Sequence, residues 1–253
     1  MEEQEEEKKI TRILVLADQT EYGNSAVEHA IFLKHVFQSE LEILRPDSNQ
    51  SNKKLYQYAE DTNTILIVLS IPDEKSKVKT FWTKKRGIRF IRHSRIPVLV
   101  VGNQLPKLNA YVNVMLPIDV DRQAKEKAMW ASYFVRFYAK LGVRGKIHVV
   151  NNLHKEPELS TKVSNNIEFI EKLYKNLELD YEIHSYHDVF NMDQKSIEVA
   201  PDYEATVTVI MMTKFYSLID LIFGPKETQI IGNKEGFPIL CLNEREDLYV
   251  LCQ

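Results

Sequence analysis

Two aspartates stand where a carboxylate could contact a ligand. Asp18 follows the apolar run 13–17, and Asp119 ends the segment Val-Asn-Val-Met-Leu-Pro-Ile-Asp at 112–119. A helical pattern comes after each of them. Ligands of parallel α/β sheets bind at the carboxyl ends of strands, where both carboxylates would lie. Aspartate at such a position also caps turns through its own backbone. A ligand contact and a local turn therefore both remain open for each residue.

Clustered basic residues form a second candidate. The segment 75–95 carries nine lysines and arginines, at positions 75, 77, 79, 84, 85, 86, 89, 92 and 95. Such a cluster could bind an acidic partner or RNA, or form the solvated face of a helix. Phe81 and Trp82 fit the buried stripe of that helix and offer no platform for stacking bases. We therefore do not expect nucleic-acid binding.

Histidines and cysteines show no spacing typical of a metal or redox site. His184 and His187 are three apart on a predicted strand, so they point to opposite faces. His148 and His154 are equally weak as ligands, and the cysteines at 241 and 252 form no C-x-x-C motif. No P-loop, G-x-S-x-G or H-E-x-x-H motif is present. We expect neither a metal site nor an enzyme.

Composition is that of a globular protein without a membrane span. The chain has 253 residues, 44% of them hydrophobic, and a net charge of −3. This charge provides no general attraction to nucleic acid or anionic lipid, and no apolar run approaches the roughly 20 residues that cross a bilayer. The segment 1–9 lacks the basic start and apolar core of a signal peptide. We expect a cytoplasmic protein.

An internal repeat predicts two α/β domains, at 10–102 and 110–243, with a linker at 103–109. In the first copy we predict strands at 13–17, 41–44, 65–69 and 97–101. We predict helices at 26–37, at 53–62, and a last one that includes Phe81, Trp82, Ile88 and Ile91. Strands that alternate with helices indicate a parallel sheet.

The second copy repeats this order with more in the middle. We predict strands at 112–118, 146–150, 181–187, 205–212 and 237–242. We predict helices at 124–141, at 159–179 and at 219–231. The first of these has Trp130, Phe134, Phe137 and Leu141 along one stripe, and its three aromatic residues are expected in the core. Each copy closes with a proline in its last strand. The separation along the chain between the strand-end aspartate and this proline is 79 positions in the first copy (Asp18 to Pro97) and 119 in the second (Asp119 to Pro238). The first domain is therefore expected to be a shortened version, lacking a strand and a helix, that superimposes on the second.

These features resemble the universal stress protein family in a tandem two-domain arrangement. The residues that carry the resemblance are the strand-end aspartates Asp18 and Asp119, the helices after them, and the end segment Phe-Gly-Pro at 223–225 followed by Gly-Phe-Pro-Ile-Leu at 236–240. The family fold is a Rossmann-like, doubly wound sheet with strand order 3-2-1-4-5. Closing strands of two such domains commonly pair, which implies an internal pseudo-dimer or self-association as a dimer.

Many members of that family bind ATP through a G-x2-G-x9-G-[S/T] loop after the fourth strand. Its glycines let backbone N–H groups approach the phosphates. In the second copy the matching positions are Met211, Lys214 and Gly224, followed by Pro225, so only the last glycine is present. The resemblance implies a nucleotide site at Asp119, Lys214 and Gly224, where Lys214 is either a point charge for a phosphate or an exposed lysine.

In the first copy the same loop positions hold Ser70, Asp73 and Thr83, with no glycine. The carboxylate of Asp73 would also repel a phosphate. We therefore expect ATP or AMP binding to be weak or absent in the second domain and absent in the first.

The resulting hypothesis is a non-enzymatic stress-response protein with degenerate nucleotide sites, which acts by association with itself or with an unidentified protein partner. One alternative is an ATP- or AMP-binding regulator that uses a variant loop in the second domain. A further alternative is a nucleotide hydrolase. The closing strands 97–101 and 238–242 are apolar throughout, and a bare edge of that composition invites aggregation. We expect them to pair with each other or with a second chain.

Overall fold

The computed structural model describes residues 11–47, 50–72, 76–120, 124–212 and 230–244. These residues form the strands β1 (Arg12–Leu16), β2 (Glu40–Leu44), β3 (Thr64–Ser70), β4 (Val98–Val101), β5 (Val114–Ile118), β6 (Ile147–Leu153), β7 (Tyr181–His187), β8 (Val207–Met211) and β9 (Ile239–Leu242). They also form the helices α1 (Glu21–Phe37), α2 (Asn52–Asp61), α3 (Lys84–His93), α4 (Ala124–Lys140), α5 (Pro157–Asn176) and α6 (Met192–Val199), with a 3-10 turn at Ala200–Tyr203. None of the helices in these ranges combines the length and the apolarity that crossing a membrane requires.

A single sheet runs through the described residues in the order β2-β1-β3-β4-β9-β8-β5-β6-β7. Neighbouring strands are parallel except for β4 and β9, which are antiparallel. Helices cover both faces of the sheet, because strands joined by parallel crossovers need apolar cover on each side. The predicted α/β class with a mostly parallel sheet is confirmed.

The antiparallel pair lies at the centre of the sheet and consists of the two closing strands of the sequence repeat. Leu99 lies opposite Leu240, and both are fully buried. Next to this pair the backbones of Gly102 and Gly236 approach closely, and a Cβ on Gly102 would lie 2.5 Å from Gly236 Cα. The apolar strands β4 and β9 therefore cover each other within the chain, one of the two pairings that the sequence led us to expect.

A continuous core on one face connects the two ends of the molecule. Apolar residues of α1, α4 and α5 pack there against the sheet. The ring centroid of Phe37 on α1 lies 5.5 Å from that of Phe134 and 4.9 Å from that of Phe137, both on α4. The opposite face packs on α2, α3 and α6. The halves of the sequence therefore share apolar packing as well as a strand pair.

The start of α1 differs from the prediction, which began this helix at residue 26, whereas the structure begins it at Glu21. The N-cap is Thr20, whose hydroxyl accepts from the Gly23 N–H. Gly23 lies inside the helix, where a Cβ would stand 2.1 Å from the Asp18 carbonyl oxygen. The glycine is there because the turn after β1 passes against the helix, a constraint that helical spacing does not show.

Two further helix predictions need correction. Helix α3 begins at Lys84, so Phe81 and Trp82 precede it, although Trp82 is buried as expected. Leu141 was predicted to end α4 and its apolar stripe, but it lies beyond the helix and is 48% exposed, whereas Phe134 is fully buried. The predicted helix 219–231 falls outside the described residues except at its last two positions. Helix α6 was not predicted, since its eight residues follow a polar, turn-rich stretch.

A buried polar cluster connects α1 to the linker and to the residues before β5. Nε2 of His29 donates to the Gln104 carbonyl at 2.9 Å, and the Tyr111 hydroxyl donates to Nδ1 of the same ring. Ser25 donates to the same carbonyl at 2.8 Å. Burial lowers the pKa of His29 to about 4, although the Gln104 carbonyl acts in the opposite direction. His29 is therefore neutral in the folded protein at neutral pH.

We expect His29 to make the protein acid-sensitive between pH 6.5 and pH 4. Its pKa falls from 6.5 to about 4 on folding, so in this window the unfolded chain binds a proton that the folded chain does not. The stabilisation is complete above pH 6.5 and is lost as the pH falls to 4, by about 3 kcal/mol in all. Urea unfolding of the wild type and of His29→Gln across this range measures the effect.

His29→Gln is the reference for the wild type, because it removes the titration of this side chain and leaves the other acid-labile groups in place. The free energy of unfolding of His29→Gln should fall by about 3 kcal/mol less than that of the wild type between pH 6.5 and 4. Equal losses in the two proteins would show that His29 is not buried in its neutral form.

Candidate functional site

The carboxyl ends of the parallel strands are the place where doubly wound sheets bind ligands. Asp18, just after β1, lies at this edge, and its carboxylate is hydrogen-bonded to other groups of the chain. Oδ1 accepts from the backbone N–H and the hydroxyl of Thr20, and Oδ2 accepts from the Phe81 N–H at 2.7 Å. This carboxylate fastens the segment before α3 to the end of β1.

Aromatic side chains fill the space above the same strand end. Trp82 is 2% exposed, and its indole N–H donates to the carbonyl of Leu16, the last residue of β1, at 2.8 Å. Phe81 packs edge-on against Trp82, and the Arg86 guanidinium lies 3.6 Å from the centroid of the Phe81 ring. The crevice of the first half is thus closed by the chain itself.

At the corresponding position of the second half, Asp119 follows β5 and has a different partner. Its Oδ1 lies 2.6 Å from Nε2 of His154, the residue after β6, and also accepts from the Val120 N–H. The Asn166 side chain of α5 donates to the Asp119 carbonyl at 3.0 Å. The side chains of Asp119 and His154 are about one-fifth exposed, at 20% and 19%. A carboxylate–imidazole pair therefore lies at the open edge of the sheet.

Such a pair could orient a histidine towards a polar ligand, because the carboxylate holds one ring nitrogen and leaves the other for a partner. A buried lysine on α4 reaches the end of β5, the strand that Asp119 follows. Lys127 is 2% exposed, and its ammonium donates to the carbonyl of Pro117 at 2.6 Å. The predictions included neither His154 nor Lys127 among the site residues. The signal for His154 was available, since it follows the strand next to that of Asp119.

The other predicted nucleotide-binding residues, Lys214 and Gly224, lie outside the described residues. So does Asp73, the residue expected to repel a phosphate in the first half. Met211 is the last residue of β8 and therefore lies at the same edge as Asp119. Asp119 and the end of β8 thus lie at one edge of the sheet, and the nucleotide contacts predicted for Lys214 and Gly224 stay predictions.

The predicted basic cluster around α3 lies mostly at the surface. Lys85, Arg89 and Arg95 are exposed. Arg86 is half-buried, and it donates to the Gln50 carbonyl at 2.7 Å while its guanidinium lies over Phe81. The contacts of Arg86 are structural, and Lys85 and Arg89 lie on the solvated face of α3.

Sequence spacing also missed a group of histidines at the far edge of the sheet. His184 and His187 point to opposite faces of β7, as predicted, but His148 on the neighbouring strand β6 brings its ring to His184. Burial, and next the neighbouring His184, lower the pKa of His148 to about 4. Both histidines lie near the Glu182 carboxylate. A Glu-x-His pattern on one strand beside a histidine on the next was the signal available.

The architecture is that of the doubly wound α/β proteins. Similar solved structures include a universal stress protein from Archaeoglobus fulgidus, at a TM-score of 0.65 and 12% identity over 93% of this chain and 97% of that one. Another is a putative universal stress protein from Pseudomonas aeruginosa, at a TM-score of 0.55 and 16% identity over 93% and 94%. A functionally unknown protein, also from Pseudomonas aeruginosa, matches at a TM-score of 0.54 and 12% identity over 96% of each chain.

No protein-family model and no curated protein matches the chain. At identities of 12–16%, the likeness to the solved structures establishes the fold alone. This chain has the universal-stress-type fold over nearly its whole length.

Proposed function

We propose that this chain is a universal stress protein of the tandem type, with one shortened domain at 10–102 and one complete domain at 110–243. The strand orders support this assignment. From β5 to β9 the order is β7-β6-β5-β8-β9, which is the 3-2-1-4-5 order of the family. The first half has β2-β1-β3-β4, the same order without its third strand. Pairing of β4 with β9 then makes the chain an internal pseudo-dimer.

In this proposal the protein works by association with other proteins and has no catalytic activity. The observation that carries it is the state of the first crevice, where Trp82 is buried against the end of β1 and Asp18 is held by Thr20 and Phe81. A nucleotide entering there would have to displace a packed indole and several hydrogen bonds. The first half thus has the fold of a nucleotide-binding domain with its own chain in place of the ligand.

A second candidate is an ATP- or AMP-binding regulator that uses the second half alone. It is favoured by the partial exposure of Asp119 and His154 at the carboxyl edge, in contrast to the closed edge of the first half. The Asp119–His154 contact also opposes it, because a ligand that needs this carboxylate must compete with an imidazole 2.6 Å away.

We expect ATP to bind with a dissociation constant of about 0.1 mM or weaker. Two or three hydrogen bonds from backbone groups to phosphate are lost with the missing glycines, at about 1–1.5 kcal/mol each, so a micromolar site weakens about a hundredfold. Isothermal titration with ATP measures this, and mass spectrometry of the extracted protein shows whether a nucleotide co-purifies. Any residual binding should decrease in Asp119→Ala and Lys214→Ala.

The matched control is Asp18→Ala, which removes the equivalent carboxylate of the first half and should leave any ATP binding unchanged. Micromolar affinity that persists in both Asp119→Ala and Lys214→Ala would overturn the proposed site. Micromolar affinity that is lost in these variants would favour the nucleotide-binding regulator. Turnover of ATP with Mg²⁺ that Asp119→Ala abolishes would instead establish the hydrolase alternative.

A further inference from the structure

Three side chains with metal-binding atoms share one face of the sheet at its β7 edge. Glu182 and His184 are two residues apart on β7, so they point to the same side. In the parallel pairing of the two strands, His148 of β6 lies opposite Glu182. The register between β6 and β7 thus brings the imidazole of His148 to a carboxylate and an imidazole that lie 34 and 36 residues later in the sequence.

Their ligand atoms form a nearly equilateral triangle. Nδ1 of His148 lies 3.2 Å from Nε2 of His184, and these two nitrogens lie 3.7 and 3.8 Å from Oε2 of Glu182. The centre of a triangle with these sides is about 2.1 Å from each corner, the length of a Zn–N or Zn–O bond. A tetrahedral ion sits slightly out of this plane and needs the triangle to contract by only a few tenths of an ångström.

Neighbouring groups hold these side chains in place. The Tyr203 ring stacks on His184 at 4.0 Å and on His148 at 5.0 Å between centroids, with interplanar angles of 24° and 22°. Lys146 Nζ lies 3.0 Å from Oε1 of Glu182, so the other oxygen faces the imidazoles. A metal site gains affinity when its ligands are held in place before the ion arrives.

We propose that His148, Glu182 and His184 bind a first-row divalent metal ion, with Zn²⁺ the best fit. Two imidazoles and one carboxylate are a donor set typical of zinc with one open position. The Glu182 side chain is 50% exposed, so an ion can reach the cluster from solvent. Without a metal, the two facing ring nitrogens can share only one N–H···N hydrogen bond.

This site is separate from the proposed nucleotide crevice. His148 pairs with Met115 on β5, three residues before the carboxyl end of that strand, which places it roughly 10 Å away along the strand from the end where Asp119 follows. Metal binding and nucleotide binding can therefore succeed or fail independently of each other.

Isothermal titration of the chelator-treated, full-length protein with ZnCl2 tests the proposal. We expect one Zn²⁺ per chain with a dissociation constant on the order of micromolar or tighter. His148→Ala and His184→Ala should each weaken binding by at least about a hundredfold, since losing even an outer-shell partner costs 10–100-fold. Titration with Co²⁺ should produce the visible absorption of a four-coordinate ion.

His187→Ala is the matched control, because His187 lies on the same strand but points to the opposite face. It should bind Zn²⁺ like the wild type. If His148→Ala fails to fold, Glu182→Gln on the exposed side of the cluster replaces it, with the Co²⁺ spectrum as the readout. The proposal is overturned if no saturable binding at one ion per chain occurs, or if such binding persists in the His148→Ala/His184→Ala double variant.

Discussion

Replacing Leu99 with aspartate should destabilise the protein by at least about 4 kcal/mol, because a charge would then be buried in place of a core side chain. Leu99 is fully buried on β4, opposite Leu240 on β9, at the centre of a nine-strand sheet. The carboxylate would have packed apolar neighbours in place of water. We expect Leu240→Asp to have the same effect, and urea denaturation measures both.

The matched control is Ile43→Asp on β2, an edge strand where the side chain is already 44% exposed. There the carboxylate keeps its water, so the loss should remain below about 1 kcal/mol. Unchanged stability and oligomeric state in both Leu99→Asp and Leu240→Asp would show that these two strands do not join the halves.

Replacing Trp82 with alanine should cost about 3–5 kcal/mol, the range for deleting a large aromatic side chain from a core. The indole is 2% exposed and fills the space at the end of β1, and its N–H satisfies the Leu16 carbonyl. The substitution leaves a cavity and removes a buried hydrogen bond at the same place. Thermal and urea unfolding of the variant measure the loss.

Trp82→Phe separates the two contributions, because it keeps much of the packing and removes the N–H. We expect this variant to lose clearly less stability than Trp82→Ala. A loss below about 1 kcal/mol in Trp82→Ala would show that the indole is not packed at the end of β1 and does not close the first crevice.

Much of the fold could be predicted from hydrophobic patterning alone. The strand 181–187 was predicted with the bounds that the structure has, and α2 was predicted to within one residue at each end. Buried parallel strands are continuous apolar runs, and helices repeat apolar residues every three or four positions, so both are visible in a single chain. Prediction was weaker at helix starts such as those of α1 and α3, where hydrogen bonds to one side chain set the boundary.

The candidate site was predicted less completely, for a physical reason. Asp119 was recognised because it ends an apolar strand, a local feature. Its partner His154 lies 35 residues further along the chain, and the two meet only because β5 and β6 are neighbours in the sheet.

The sequence by itself determined the α/β class, the apolar closing strands and the loss of all but one of the phosphate-binding glycines, since each of these depends on residue type and local spacing. Only the tertiary structure decided which closing strand pairs with which, that Trp82 closes the first crevice, and that His148 meets Glu182 and His184. Those outcomes depend on how distant segments meet; on the strands, a shift of one residue in register would turn His148 away from Glu182 and His184.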